Sequence, residues 1–230
     1  MFDRRFFLKK LSLLTIPTAA TAQIIKKDPC IKKETPNQSM GPFYPEVLTI
    51  EKDADLTQLK GHKQKAKGQY IQVSGIVQDE FCKPIENAIV EIWQACYSGR
   101  YNHPSDTSNE KLDPHFQYYA MMKTDGAGIY SFKTVIPGAY NVSLNWMRPP
   151  HIHYKVSLKG YKPLITQLYF HGHKLNKNDG ILNSLSLEEK KRSSSILKKV
   201  IMTFYKESFI SISKNTKIFP KLISQQHINY

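Results

Sequence analysis

Acidic side chains, cysteines and long apolar runs are scarce in this sequence of 230 residues, and each shortage excludes a class of protein. After residue 25, no uninterrupted apolar stretch approaches the roughly 18 to 20 residues that span a bilayer, so we predict no membrane span in the mature chain. The cysteines are only Cys30, Cys82 and Cys96, without a C-x-x-C pair, which argues against a thiolate zinc site. Their odd number leaves at least one thiol without an intrachain partner.

The composition fits a basic folded protein. Lys and Arg number 33 against 19 Asp and Glu, and the net charge of +14 directs attention to anionic partners such as nucleic acid. Hydrophobic residues make up 40% and aromatic residues 11% of the chain, which is enough to build a core and excludes a disordered tail protein.

Residues 1–22 have the features of a twin-arginine export signal. Arg4 and Arg5 precede a short apolar stretch, and Ala20-Thr21-Ala22 is a small-x-small cleavage site. We therefore predict a periplasmic or secreted protein. The alternative is a cytosolic chain that begins with a basic, partly apolar helix.

The remaining chain divides into an arm, a β-rich body and a basic extension. Residues 23–68 predict an extended arm that wraps onto the body, residues 69–183 a β-sandwich, and residues 184–230 a basic helical extension followed by an irregular, lysine-rich tail. Helical spacing covers 185–206. Period-2 apolar runs predict the strands, and we expect a mainly β fold, an antiparallel β-sandwich. These runs contain Ile71, Val73 and Val77; Ala88, Val90 and Ile92; Tyr130 and Phe132; Ile152, Tyr154, Val156 and Leu158; and Leu164, Thr166, Leu168 and Phe170.

One predicted strand carries two histidines. His151 and His153 are two residues apart, which on a strand puts both imidazoles on one face, roughly 7 Å apart along the chain. This spacing suits one metal ion, but an isolated His-x-His also occurs as a pair of surface histidines. Ile152 and Tyr154 alternate with them and predict that the opposite face of the strand packs on the core.

Together with other motifs, this strand resembles the intradiol ring-cleavage dioxygenases, in particular the β subunits of protocatechuate 3,4-dioxygenases. The motifs are Gly41-Pro42-Phe43-Tyr44-Pro45, Val90-Glu91-Ile92-Trp93-Gln94-Ala95, Gly99-Arg100-Tyr101-Asn102-His103, Pro137-Gly138-Ala139-Tyr140, Arg148-Pro149-Pro150-His151-Ile152-His153 and Thr166-Gln167-Leu168-Tyr169-Phe170. The helical dimerisation segment expected of catechol 1,2-dioxygenases is not found in the sequence.

The resemblance implies a non-haem Fe(III) enzyme that acts on a small aromatic diol and O₂. It implies that the iron ligands are Tyr101, Tyr140, His151 and His153. It further implies that Tyr140 leaves the iron and takes up a substrate proton, that Arg148 lies near developing negative charge, and that Gln167 belongs to the pocket. The implied reaction inserts both oxygen atoms, opens a catechol or protocatechuate-like ring between the hydroxyl carbons and gives a cis,cis-muconate. For Trp93 we expect packing support of the site.

Two departures from the family pattern concern the pocket. Val142 stands where protocatechuate enzymes are expected to have tryptophan, which leaves the pocket shape open. The segment His171-Gly172-His173 replaces Glu-Gly-Asp, and we interpret it as a solvated loop rather than a second, weak metal site. A homo-oligomer fits the sequence, and a partner subunit is left open.

Two other classes of function compete with this interpretation. The strands also resemble transthyretin-like modules that bind partners without metal, although such modules have no reason to keep the two tyrosines and two histidines in this order. A nucleic-acid binder should interleave basic and stacking aromatic residues on one face, whereas the lysines here gather in the arm and tail. We therefore predict no nucleic-acid partner.

Overall fold

The computed structural model describes residues 35–46, 51–79, 81–194, 209–213 and 217–219, and these residues form ten strands and three short helical segments. The strands are β1 Tyr70–Asp79, β2 Ile89–Trp93, β3 Tyr119–Lys123, β4 Ile129–Val135, β5 Tyr140–Ser143, β6 Trp146–Arg148, β7 His151–Ser157, β8 Leu164–Tyr169, β9 Phe209–Ser213 and β10 Lys217–Phe219. The helical segments are a 3₁₀ turn Lys174–Asn178, α1 Gly180–Asn183 and α2 Leu187–Ser194. The predicted leader, 1–22, and the start of the arm lie outside the described residues.

The strands form two four-stranded sheets and a hairpin. One sheet has the order β10-β9-β1-β4, the other β3-β2-β7-β8, and β5 pairs with β6. Pairing is antiparallel except between β1 and β9. This arrangement confirms the predicted antiparallel β-sandwich.

The core lies between the two sheets and follows from the period-2 pattern. Val73 and Phe132 of the first sheet and Val90, Ile152 and Tyr154 of the second are completely buried in one apolar cluster. Because successive side chains on a strand point to opposite faces, this packing turns the alternate positions of β2, β7 and β8 toward the other side of the second sheet. The candidate metal centre lies there.

The described part of the arm has no helix and no strand and crosses both sheets. Leu56 is buried in the core and its backbone N–H donates to Lys133 O of β4. Farther toward the N-terminus, the arm contacts β8: the N–H of Gln38 donates to Ile165 O, and Thr166 Oγ1 donates to Pro36 O.

The C-terminal segment differs from the sequence prediction. The helix predicted over 185–206 is present as α2 only at Leu187–Ser194, and residues 195–208 lie outside the described part. The tail predicted as irregular contains β9 and β10, which extend the first sheet beside β1. Apolar alternation in Phe209–Ser213 is a strand signal that the abundant lysines obscured. β3, β5 and β6 were also missed, because each is short and lacks a regular alternation.

Two further sequence predictions concern membrane spans and cysteines. Within the described ranges, no helix is long and apolar enough to cross a bilayer. Cys96 is a buried free thiol, whereas Cys82 is disulfide-bonded. Cys30 lies outside the described residues.

Candidate metal centre

The register of the second sheet brings the two histidines and their neighbours onto one face. His153 of β7 is paired with Trp93 of β2 on one side and with Gln167 of β8 on the other. His151 is paired with Tyr169. Directly paired residues share a face, so the imidazoles point away from the core toward a layer formed by loops and by the arm.

A close approach of two loops brings the two tyrosines to this face. Gly99 has a φ of +90°, and a Cβ atom there would overlap the carbonyl oxygen of Ala139. A side chain at Gly138 would likewise overlap the backbone of the opposing loop. The absence of side chains lets the loops touch, so Tyr101 and Tyr140 meet with ring centroids 5.5 Å apart and nearly perpendicular planes.

Three donor atoms of the predicted ligands lie close together. The Nε2 atoms of His151 and His153 are 3.1 Å apart, and the Tyr101 hydroxyl is 3.5 Å from His151 Nε2. His151 Nδ1 lies 2.7 Å from Pro149 O and donates a hydrogen bond to it. Nε2 of His151 therefore keeps its lone pair, on the side of His153 Nε2 and the Tyr101 hydroxyl. The Nδ1 atom of His153 is buried without a hydrogen-bond partner among the described residues.

Burial controls the protonation of these four side chains. Burial, assisted by the positive charge of Arg148, lowers the pKa of His151 well below its usual value and that of His153 to about 3. Both imidazoles are therefore neutral, which is the form that binds metal. Burial raises the pKa of Tyr101 and of Tyr140, and Arg148 opposes the increase at both. Without a cation both phenols stay protonated, so metal binding would release two protons.

The donor set fits Fe(III). Across the described residues, no group of three or more His, Cys, Asp or Glu side chains could hold a metal ion, so the two histidines need the tyrosine oxygens as partners. Imidazole nitrogen suits iron, and two anionic phenolates would offset most of the charge of a trivalent ion. His151, His153, Tyr101 and Tyr140 would hold it.

Arg148 lies beside the histidines and is only 2% exposed. Its Nε donates to Asp179 at 2.9 Å, and its Nη2 donates to Gln167 Oε1 at 2.8 Å and to the Tyr169 hydroxyl at 3.0 Å. Its Nη1 lies 3.1 Å from His151 Nε2. Arg148 is therefore a buried cation with a fixed orientation.

The arm forms the outer wall of the site. The ring of Phe43 stacks on Tyr101 at 4.5 Å, and the ring of Tyr44 meets Trp93 edge-on at 5.0 Å. Trp93 in turn lies parallel to His153 at 4.8 Å, which agrees with the packing role expected for it. The arm thus shields the histidine face from solvent.

A buried carboxylate fastens this wall to the sheet. Glu91 Oε1 accepts hydrogen bonds from the hydroxyls of Tyr44, at 2.6 Å, and Tyr119, at 2.8 Å. Lys155, paired with Glu91 across β2 and β7, lies 2.9 Å from Oε2 and also donates to the Tyr44 hydroxyl. The network connects the arm to the strand that carries His153.

All six site residues predicted from the sequence are brought together: Tyr101, Tyr140, His151, His153, Arg148 and Gln167. Sequence reasoning missed Asp179, which lies after the last recognised motif in a polar turn without periodicity. It also gave no role to Glu91, although a lone acidic residue inside an apolar strand is a signal for a buried partner.

The two departures from the family pattern lie at the surface. Val142 is 47% exposed. His173 caps the 3₁₀ turn by accepting a hydrogen bond from Leu175 N, as suits a loop residue.

Comparison with known proteins places this geometry in a family. A protein-family profile described as "Dioxygenase" matches residues 40–208 and thus includes every site residue named above. The chain is 38% identical over 153 residues to the protocatechuate 3,4-dioxygenase beta chain of Burkholderia cepacia, a match that covers 65% of each protein. The chain belongs to the intradiol dioxygenase family.

Two further comparisons show how far the similarity extends. Catechol 1,2-dioxygenase 2 of Acinetobacter lwoffii is 34% identical over 118 residues, which cover 46% of this chain and 41% of that protein. The dioxygenase domain of a carbohydrate-binding fusion protein from Streptomyces sp. SirexAA-E is 26% identical with a TM-score of 0.51, over 65% of this chain and 82% of that one. The chain spans less than two thirds of the length of the curated relatives it matches.

Proposed function

We propose that this chain is a non-haem Fe(III)-dependent intradiol dioxygenase that opens a catechol or protocatechuate-like ring between its two hydroxyl carbons. The observation that carries the proposal is the pair of buried, neutral imidazoles with facing Nε2 atoms 3.1 Å apart, beside two tyrosines. A buried pair of this kind has little value for stability, because each polar atom removed from water needs a partner. A metal ion held by the two imidazoles would accept the lone pairs of both Nε2 atoms.

The chain's own residues would bind and orient the substrate. When bound, Fe(III) would supply the Lewis acidity that lets a catecholate ring react with O₂, so that both oxygen atoms enter a cis,cis-muconate product. Tyr140 would accept a proton from a substrate hydroxyl at its phenolate oxygen. Arg148, through Nη1, would donate to the anionic substrate oxygen.

Gln167 has a positioning role in this proposal. Its Oε1 accepts from Arg148, and its Nε2 donates to Ser39 O of the arm at 2.9 Å, so both ends of the amide are engaged within the protein. Gln167 therefore holds the guanidinium and the arm in place. Phe43 and Trp93 exclude water, which strengthens the electrostatic interactions within the site.

The visible absorption spectrum of the purified, iron-loaded protein tests the proposal. Tyrosinate-to-Fe(III) charge transfer should colour the protein red-brown, and the band should shift when catechol is added without O₂. Tyr140→Phe should change the band, whereas Tyr97→Phe, which alters a tyrosine outside the site, should not. A colourless protein that contains one iron per chain would refute the ligand assignment.

A metal-free transthyretin-like binding module is the competing function. Its surface would not require buried histidines on the face that the arm covers. If iron failed to bind and the four candidate ligands could be replaced without loss of a partner's affinity, this second function would be favoured.

A further inference from the structure

Asp179 is fully buried, and both of its carboxylate oxygens are engaged. Oδ2 accepts from Arg148 Nε at 2.9 Å, and Oδ1 accepts from Arg148 Nη2 at 3.3 Å. Oδ1 also accepts from the backbone N–H of Leu182 at 2.7 Å, so Asp179 caps the start of α1. The backbone turn at α1 thus fixes the carboxylate, and the carboxylate fixes the arginine.

The contacts of Arg148 leave one end of the guanidinium for the site. Asp179 binds the Nε and Nη2 side in a two-point contact, which defines the plane of the guanidinium as well as its position. Gln167 Oε1 and the Tyr169 hydroxyl also accept hydrogen bonds from Nη2. Nη1 is the end that faces His151 Nε2.

We propose that Asp179 is a positioning residue of the active site: it holds Arg148 so that Nη1 faces the metal centre and meets the anionic oxygen of a bound catecholate. The inference rests on the proposed function, because it assumes an anionic oxygen next to His151. Among the described residues, Asp179 makes no hydrogen bond or ion pair with the four candidate ligands, and it acts through Arg148.

Charge gives Asp179 a second reason to be present. A buried arginine beside a trivalent cation would oppose metal binding, and an unpaired charge in the interior is costly. The carboxylate of Asp179 neutralises Arg148 on the side remote from the histidines. The site can therefore hold a cationic hydrogen-bond donor next to a metal without a large penalty.

A double-mutant cycle on the iron-loaded protein tests the proposal. Iron per chain is measured first, and catechol binding is then followed without O₂ by the change in visible absorption. Asp179→Asn should weaken catechol binding about 10- to 100-fold, the range typical of residues that orient a metal site. In an Arg148→Met background, the same replacement should change binding less than about twofold, because the group it orients is gone.

The controls separate capping from positioning. Ser184→Ala removes a hydrogen bond to Ile181 O within the same turn and does not touch Arg148, so it should leave catechol affinity unchanged. An equal loss from Asp179→Asn in both backgrounds would overturn the proposal, since Asp179 would then act without Arg148. If Asp179→Asn does not fold, Asp179→Glu keeps the charge but displaces the carboxylate, and should retain iron while weakening catechol binding.

Failure of the proposed function would be visible separately. The dioxygenase proposal is refuted if the wild-type chain binds no iron, or if its visible spectrum does not change when catechol is added. Urea unfolding of the metal-free variants would still measure the coupling of Asp179 and Arg148. The unfolding midpoint should fall for Asp179→Asn alone and should recover when Arg148→Met removes the unpaired charge.

Discussion

Replacing Glu91 with glutamine should loosen the arm from the sheet. Glu91 is 6% exposed and accepts hydrogen bonds from Tyr44 and Tyr119 on one oxygen and the charged contact from Lys155 on the other. Glutamine has nearly the same shape, but it carries no charge and offers one acceptor oxygen instead of two. Some of the hydrogen-bond donors that face Glu91 would then lack an acceptor.

The size of the effect follows from the exposure of the partners. A hydrogen bond to a charged group contributes about 1.5 to 3 kcal/mol, and breaking a fully buried ion pair costs about 3 to 5 kcal/mol. The side chain of Lys155 is a quarter exposed and Tyr44 is half-buried, so water can replace part of the hydrogen bonding that Glu91 provides. We therefore expect Glu91→Gln to lower the free energy of unfolding by about 3 kcal/mol. For a chain of this size, that corresponds to a drop in Tm of about 6 to 12 °C.

The pKa of Glu91 determines how the stability difference between wild type and Glu91→Gln should change with pH. Burial alone would raise the pKa of Glu91, but the hydrogen bonds donated by Tyr44, Lys155 and Tyr119 outweigh it, and the pKa lies below its usual value of 4.5. A carboxyl group whose pKa is lower in the folded state stabilises the fold above the unfolded pKa, and loses this effect as pH falls through the folded value. The difference in stability between wild type and Glu91→Gln should be full near pH 7 and shrink below about pH 4.5.

Thermal unfolding followed by circular dichroism at pH 7 and at pH 3 measures both effects. Glu86→Gln removes an exposed carboxylate from the loop before β2 and serves as the matched control, with an expected change within about 0.5 kcal/mol. If Glu91→Gln matched this control at pH 7, or if its deficit persisted unchanged in acid, the network would not hold the arm.

Two further predictions concern the metal centre. His153→Ala should abolish iron binding, measured as iron per purified chain, whereas His171→Ala in the neighbouring loop should retain it; full iron content in the first variant would disprove the ligand assignment. Gly41 has a φ of +72° and a Cβ there would lie 3.3 Å from His153 Cε1, so Gly41→Ala should cost about 1 to 2 kcal/mol and also weaken iron binding about tenfold. Gly61→Ala, at a φ of +81° in open space, should carry the backbone cost alone, and equal iron affinity in the two variants would contradict the contact with His153.

Much of the fold was predictable because strand periodicity is a local property. The alternation of Ile152, Tyr154 and Val156 indicated both the strand β7 and the direction in which its histidines point, since side chains alternate across a strand. β5 and β6 were not predictable in this way, because only one end of this short hairpin, at Tyr140 and Arg148, is buried, so its sequence shows no regular alternation. Apolar alternation in Phe209–Ser213 is a local signal for β9, but its position beside β1 depends on pairing with a distant segment, which no local pattern encodes.

For the candidate site too, the sequence indicated some of the residues and only the tertiary structure showed the others. The resemblance of its motifs to the intradiol dioxygenases implied two tyrosines, two histidines, an arginine and a glutamine, and these motifs are contained in the sequence. Only the tertiary structure decided that Asp179 is the partner of Arg148, since 31 residues of chain separate two side chains that meet in the interior. The same holds for Glu91 and the arm: a carboxylate in β2 and a hydroxyl 47 residues earlier become partners only when folding removes both from water and makes an unpaired polar group costly.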